Sequence, residues 1–201
     1  MDKHYKLMFC SQDTAMRPLS PEKQPFLHAH LEEKKNAVLR EQSFGAYEAL
    51  FRLCDECAVK EVPRIVYADS GKPYFEGGYP FFSLSHTEGV SLACLSLSCD
   101  VGVDIESLRA AREKEKAAAY RALADRMFYA EEREALSEAS DDVFLRAFLS
   151  IYTQKEALAK LLSVPVMQVN AKKIPRGVRL MTEIAKDGDY VYSVALLNDH
   201  D

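Results

Sequence analysis

At 201 residues, of which 48% are hydrophobic and 28% charged, the chain suits one large or two small globular domains, is too apolar for intrinsic disorder, and has no apolar run long enough to span a membrane. Its 26 basic residues against 31 acidic ones leave a formal charge of −5, which excludes a surface built for broad contact with nucleic acid or anionic lipid, so any anion must be held by a local cluster. The five cysteines (Cys10, Cys54, Cys57, Cys94, Cys99) are odd in number and scattered, and the start MDKHYKLMFC carries no apolar signal stretch; a reducing cytoplasm is the expectation.

In chain order, His4-Tyr5-Lys6-Leu7-Met8-Phe9 alternates polar and apolar residues, which predicts a half-buried strand. Arg17-Pro18-Leu19-Ser20-Pro21 breaks it. With Ser20 as N-cap, Pro21 at the first helical position and Glu22 in the first turn, a helix is predicted over 21–37, and a second follows through Tyr47, Leu50, Phe51 and Leu53. Cys54 and Cys57 form a single CxxC on that helix, with no second pair or histidines at zinc spacing, and read as packing. Between 64 and 103 short β-branched and aromatic runs alternate with Gly71, Gly77-Gly78, Gly89 and Asp100, which predicts several strands. Helices return at 108–125, 130–137 and 142–162, and two final strands are predicted at 178–184 and 190–197. Strands and helices thus fall in blocks rather than in βαβ alternation, and the predicted class is α+β, in two halves of similar plan, residues 1–107 and 108–201.

Four places carry chemistry. In Val101-Gly102-Val103-Asp104-Ile105-Glu106 the two-residue period of a strand puts Gly102, Asp104 and Glu106 on one face. Two adjacent carboxylates want a cation between them, and oxygen ligands suit Mg²⁺ or Mn²⁺ better than zinc; taken alone, the pair reads rather as solvated acids where the strand runs out into a polar turn. On the helix 142–162, Phe144, Phe148, Ile151, Leu158 and Leu162 form an apolar stripe. Lys155 projects from its centre, with Glu156 in its wider arc. A charge aimed at a core needs a partner or a metal, so a polar pocket is expected there; the plainer alternative is a surface Glu/Lys pair with one snorkelling lysine. Tyr152, Glu156 and Lys160 are spaced i, i+4, i+8 along one side. The remaining two places are the turn Gly71-Lys72-Pro73 and the strand end Phe82-Ser83-Leu84-Ser85-His86. Adjacent strand residues point to opposite faces, so Ser85 and His86 do not make a nucleophile–base pair.

In order and spacing these four segments, the last running Tyr152-Thr153-Gln154-Lys155-Glu156-Ala157-Leu158-Ala159-Lys160, resemble the signature of the 4′-phosphopantetheinyl transferases of the surfactin-synthetase-activating type. The resemblance implies a pseudo-twofold α+β fold with the active site in the cleft between the halves. It implies transfer of the phosphopantetheine arm of coenzyme A, the co-substrate, to a serine of an acyl or peptidyl carrier protein, with Mg²⁺ or Mn²⁺. It assigns Asp104, Glu106 and Glu156 to the metal, and Lys72, Ser85, His86, Lys155 and Lys160 to coenzyme A. Glu156 and Lys160 become the catalytic pair, one as a candidate base, with a metal-bound water as the alternative, the other facing the pyrophosphate. Glu132 matches an acid of the family, and equally reads as a solvated residue on a short helix.

Two departures stand out. Tyr152 replaces the family's usual tryptophan. Where the family commonly has an arginine for the nucleotide's 3′-phosphate, this chain reads Ser43-Phe44-Gly45-Ala46-Tyr47, with Lys34, Lys35 or Arg40 as candidate substitutes. That gap keeps open a catalytically inactive relative that binds coenzyme A or a carrier protein. A monomer is expected, with a docking patch for the carrier along Arg109–Arg126, where Arg121 and Arg126 supply local positive charge.

Overall fold

The structure, a computed structural model, describes residues 5–11, 25–112, 117–136, 140–185 and 188–197. His4 and the expected helix start at Ser20-Pro21-Glu22 lie outside them. Helices and strands combine in an α+β arrangement that divides into two compact units, Met1–Val101 and Gly102–Asp201.

In the first unit, β1 (Tyr5–Ser11), β4 (Phe81–Thr87) and β5 (Val90–Ser96) form an antiparallel sheet in the order β1-β5-β4. Every residue of β5 is buried, as a central strand's near-continuous apolar run demands. Helices α1 (Pro25–Glu32) and α2 (Ala37–Glu56) supply Leu31, Leu50 and Leu53 to a core with Phe75, Phe82 and Leu95. The helix predicted to reach residue 37 stops at Glu32, because Asn36 takes an extended conformation and its side chain accepts the Leu39 N–H at 3.2 Å, starting α2. A local side-chain acceptor thus outcompetes helix continuation. A small antiparallel ribbon pairs β2 (Ile65–Tyr67) with β3 (Pro73–Phe75), placing Ile65 opposite Phe75. Gly71, at φ +82°, makes the turn before β3 that presents Lys72.

In the second unit, β6 (Val101–Ser107), β7 (Val178–Ile184) and β8 (Tyr190–Leu197) form a sheet in the order β6-β8-β7, crossed by the long helix α6 (Asp141–Leu162). The Ala-rich stretch contributes α3 (Leu108–Arg112) and α4 (Ala117–Met127), and α5 (Ala130–Glu134) follows. Phe148 of α6 stacks on Phe128 at 5.0 Å and on Tyr152 at 5.8 Å between ring centroids, filling the core beside Phe144 and Leu149. At the end of α6 the stripe shifts: Leu162 is exposed, and Leu161 turns inward with Ala157 and Leu158. Gly102 explains the shift. A Cβ there would lie 2.0 Å from the Ala157 carbonyl oxygen and 2.7 Å from the Leu161 nitrogen, so only glycine lets β6 approach this face of the helix. Among the described residues no helix is long and apolar enough to cross a membrane.

Candidate active site in the second unit

The close approach at Gly102 places the next same-face residue of β6, Asp104, beneath the last two turns of α6. Asp104 is buried, and the Lys160 ammonium donates to its Oδ1 at 2.8 Å and to the Val103 carbonyl at 3.0 Å. Glu156, one turn earlier, is half-buried. Its burial first, and the Asp104 charge second, raise its proton affinity above that of an ordinary carboxyl group, while Lys160 and a hydrogen bond from the Tyr152 hydroxyl pull the other way. The Tyr152 phenol itself is pushed well up, by burial and then by the charges of Glu156, Glu106 and Asp104. One ring therefore senses all three acids. Glu106, less buried than its neighbours on β6, also raises the Tyr120 phenol, after burial.

The row Tyr152, Glu156, Lys160 thus faces β6, and the structure brings together Asp104, Glu156 and Lys160, with Glu106 near enough for its charge to act on Tyr152. Three carboxyl groups against one ammonium leave an excess of negative charge in a partly buried place, and the donor set is all oxygen, as a hard divalent cation requires. Among the described residues no three side chains of histidine, cysteine, aspartate or glutamate are gathered closely enough to hold an ion by themselves. Lys160 supplies the positive charge at Asp104.

Lys155 stands apart from this row. Its ammonium is fully buried and donates to Glu132 Oε2 at 2.9 Å, to Glu132 Oε1 at 3.2 Å and to the Val169 carbonyl, 4.8 Å from the Tyr129 ring centroid. All three of its protons have acceptors within the protein. Glu132 is equally buried and accepts the Tyr129 N–H at 2.8 Å and the Ala171 N–H at 2.6 Å. It is therefore not a solvated helix residue. That α6 needed a counter-charge was visible in the lysine at the centre of its apolar stripe; which acid supplied it was not, because the partner lies 23 residues away on another helix.

The remaining expected contacts lie in the first unit. Lys72 Nζ is 3.1 Å from Asp100 Oδ1, and that oxygen also accepts the Val101 N–H. Ser85, buried, pairs with Leu92 across β5, and His86, half-buried, with Ser91. Lys34 donates to Ser43 Oγ at 2.7 Å, and Ser43 in turn donates to the Leu39 carbonyl. An ammonium is thus delivered to the segment that lacks the expected arginine, and partial burial lowers its proton affinity. Tyr47 of α2 and Tyr67 of β2 share a hydrogen bond at 3.0 Å, and burial pushes both phenols up. Cys54 is buried, its thiol pushed up to about 12, which suits the packing role expected of the CxxC. Of the basic residues expected to dock a partner, Arg121 is 3.1 Å from Asp141 and 4.0 Å above the Phe144 ring.

Comparison with known proteins places the site in a family context. Residues 100–190 match the model of the 4′-phosphopantetheinyl transferase superfamily. The chain is 36% identical over 104 residues to the 4′-phosphopantetheinyl transferase AcpT of Salmonella typhimurium, covering 51% of this chain and 51% of that protein. It is 35% identical over 100 residues to AcpT of Escherichia coli, covering 49% and 48%. With the 4′-phosphopantetheinyl transferase HetI of Nostoc it shares 31% over 99 residues, covering 47% and 39%. The chain thus spans about half the length of the curated relatives it matches, and the surfactin-activating type is not singled out among them. The stretch that matches the superfamily model folds into β6, α3 to α6 and β7 and carries Asp104, Glu106, Glu156 and Lys160.

Proposed function

We propose that the protein transfers the 4′-phosphopantetheine arm of coenzyme A to a serine of an acyl or peptidyl carrier protein, in the manner of the surfactin-synthetase-activating type. The observation that carries this reading is the meeting of Asp104, Glu156 and Lys160 within the stretch that matches the superfamily. In this reading Asp104, Glu106 and Glu156 hold Mg²⁺, which when bound neutralises the coenzyme A pyrophosphate and polarises the phosphorus under attack. Lys160 turns from Asp104 toward the pyrophosphate, and Lys72, Ser85 and His86 hold the nucleotide's phosphates.

The reaction forms one bond and breaks another. The carrier's serine oxygen bonds to the phosphorus that bears the pantetheine arm; the bond from that phosphorus to the bridging oxygen breaks, and adenosine 3′,5′-bisphosphate leaves. Glu156, or a water held beside it, accepts the serine proton. Lys160 offsets the charge that grows on the leaving group. The five free thiols, most of them buried, suit a cytoplasmic location.

Incubation with apo carrier protein, coenzyme A and Mg²⁺ is expected to add the phosphopantetheine mass to the carrier, and Asp104→Ala or Glu156→Ala to abolish the gain. The absence of an arginine in Ser43–Tyr47 favours one competing reading, a relative that binds coenzyme A without turnover. Calorimetry separates the two: coenzyme A binding without any mass gain across several carriers selects the competitor.

A further inference from the structure

We infer that the buried Lys155–Glu132 pair sets the rotation of α6 about its own axis and so positions Glu156 and Lys160 toward Asp104. Lys155 is then a positioning residue and not a contact to coenzyme A; this rests on the reading of Glu156 and Lys160 as the catalytic pair.

A buried ion pair is a poor way to gain stability, since desolvating two charges offsets much of their attraction and apolar residues of similar volume often serve as well. What an ion pair adds is direction. Here it is hydrogen-bonded at every corner. Lys155 reaches Glu132 and the Val169 carbonyl, and Glu132 reaches the Tyr129 and Ala171 amides, so two loops, before α5 and after α6, are tied to one point on the helix. Neighbouring helical residues diverge by about 100°, so locking Lys155 on the loop side dictates where Glu156 points. The preceding residues are held toward the sheet: Thr153 Oγ1 lies 2.8 Å from Ser193 Oγ of β8, and Gln154 Nε2 donates to Thr182 Oγ1 of β7 at 2.9 Å. Three consecutive side chains thus grip the helix from its two sides.

The test uses the full chain with Glu132→Gln, Lys155→Met and the double variant Glu132→Gln/Lys155→Met, which leaves no buried charge unpaired and keeps the fold within reach if either single variant fails. Kinetics are read on apo carrier, coenzyme A and Mg²⁺ at a temperature where circular dichroism shows the variant folded. The expected result for the double variant is a kcat about tenfold lower or more, as for loss of a residue that orients a functional side chain, with the KM for coenzyme A within about twofold of the parent. A raised KM with kcat preserved would assign Lys155 to substrate contact, and unchanged kinetics would make the pair structural only; either overturns the proposal. A second readout is independent of turnover: the side-chain carboxyl carbon shift of Glu156 and the ring shifts of Tyr152 are expected to move in the double variant. If the parent protein transfers nothing, the functional reading fails, and these shifts still decide whether the pair orients Glu156; shifts identical to the parent refute it.

Discussion

Lys160 lies 2.8 Å from Asp104, although 56 residues separate them in the chain. One turn before it on α6, Glu156 feels the same aspartate, which works with burial to raise its proton affinity. The helix therefore brings to one strand residue both a cation that stabilises its charge and an anion that opposes it. A charge cluster of this kind is costly as architecture and useful as chemistry.

For Glu156 the sign of the pH effect follows from that position. A carboxyl group whose proton affinity is higher in the folded chain than in the unfolded one contributes stability at pH below its unfolded value and loses it as pH rises through the folded value. Replacement by an uncharged isostere removes the penalty. Glu156→Gln is expected to raise Tm at pH 8 relative to the parent protein and to make little difference near pH 4, while transfer activity disappears. Parallel melts at the two pH values check this, and a lower Tm at pH 8 would contradict it.

Asp104→Asn removes an acid that both anchors Lys160 and opposes Glu156. Transfer to apo carrier is expected to fall by roughly 10²–10³-fold, the scale associated with losing one preorganised electrostatic group. In the parent protein Mg²⁺ and coenzyme A together are expected to raise Tm more than either alone, through mass action on the folded state. In Asp104→Asn that synergy is expected to vanish, as differential scanning fluorimetry with and without a chelator would register.

Lys34 is carried to Ser43 from outside α2. If its ammonium holds the nucleotide's 3′-phosphate in place of the absent arginine, Lys34→Met raises the KM for coenzyme A about tenfold, near 1.4 kcal/mol, and leaves kcat close to the parent value. The same variant is expected to discriminate less between coenzyme A and its 3′-dephospho form. Equal KM values for parent and variant with both substrates would remove Lys34 from the site.

Gly102→Ala places a methyl group 2.0 Å from the Ala157 carbonyl oxygen, which is backbone and cannot swing aside. Strand and helix must separate, at a cost of about 1–3 kcal/mol for overpacking, and Asp104 moves away from Lys160 and Glu156. Chemical denaturation is expected to show the lost stability and the transfer assay a reduced kcat. A variant as stable and active as the parent would mean that β6 does not need this close approach.

Much of the fold was legible along the chain because its signals are local. Val178–Ile184 and Tyr190–Leu197 are rich in apolar, β-branched and aromatic residues, and α6 carries a helical stripe from Phe144 to Leu158. The 3.6-residue period likewise puts Tyr152, Glu156 and Lys160 in one row wherever the helix packs. The local reading erred at Asn36, whose side chain starts a new helix, and at Leu162, whose place in the core Leu161 takes. Both are boundary effects, decided by a single hydrogen bond or by the neighbour across the helix.

By itself the sequence determined the α+β character, the acids of one strand face and the charged row of one helix, since these follow from periodicities of two and 3.6 residues. Only the tertiary structure decided that Lys155 is answered by Glu132 and that Asp104 lies beneath Lys160. Ion pairing depends on distance in space and is indifferent to separation along the chain. Several acids could have balanced either lysine, and packing selected one for each.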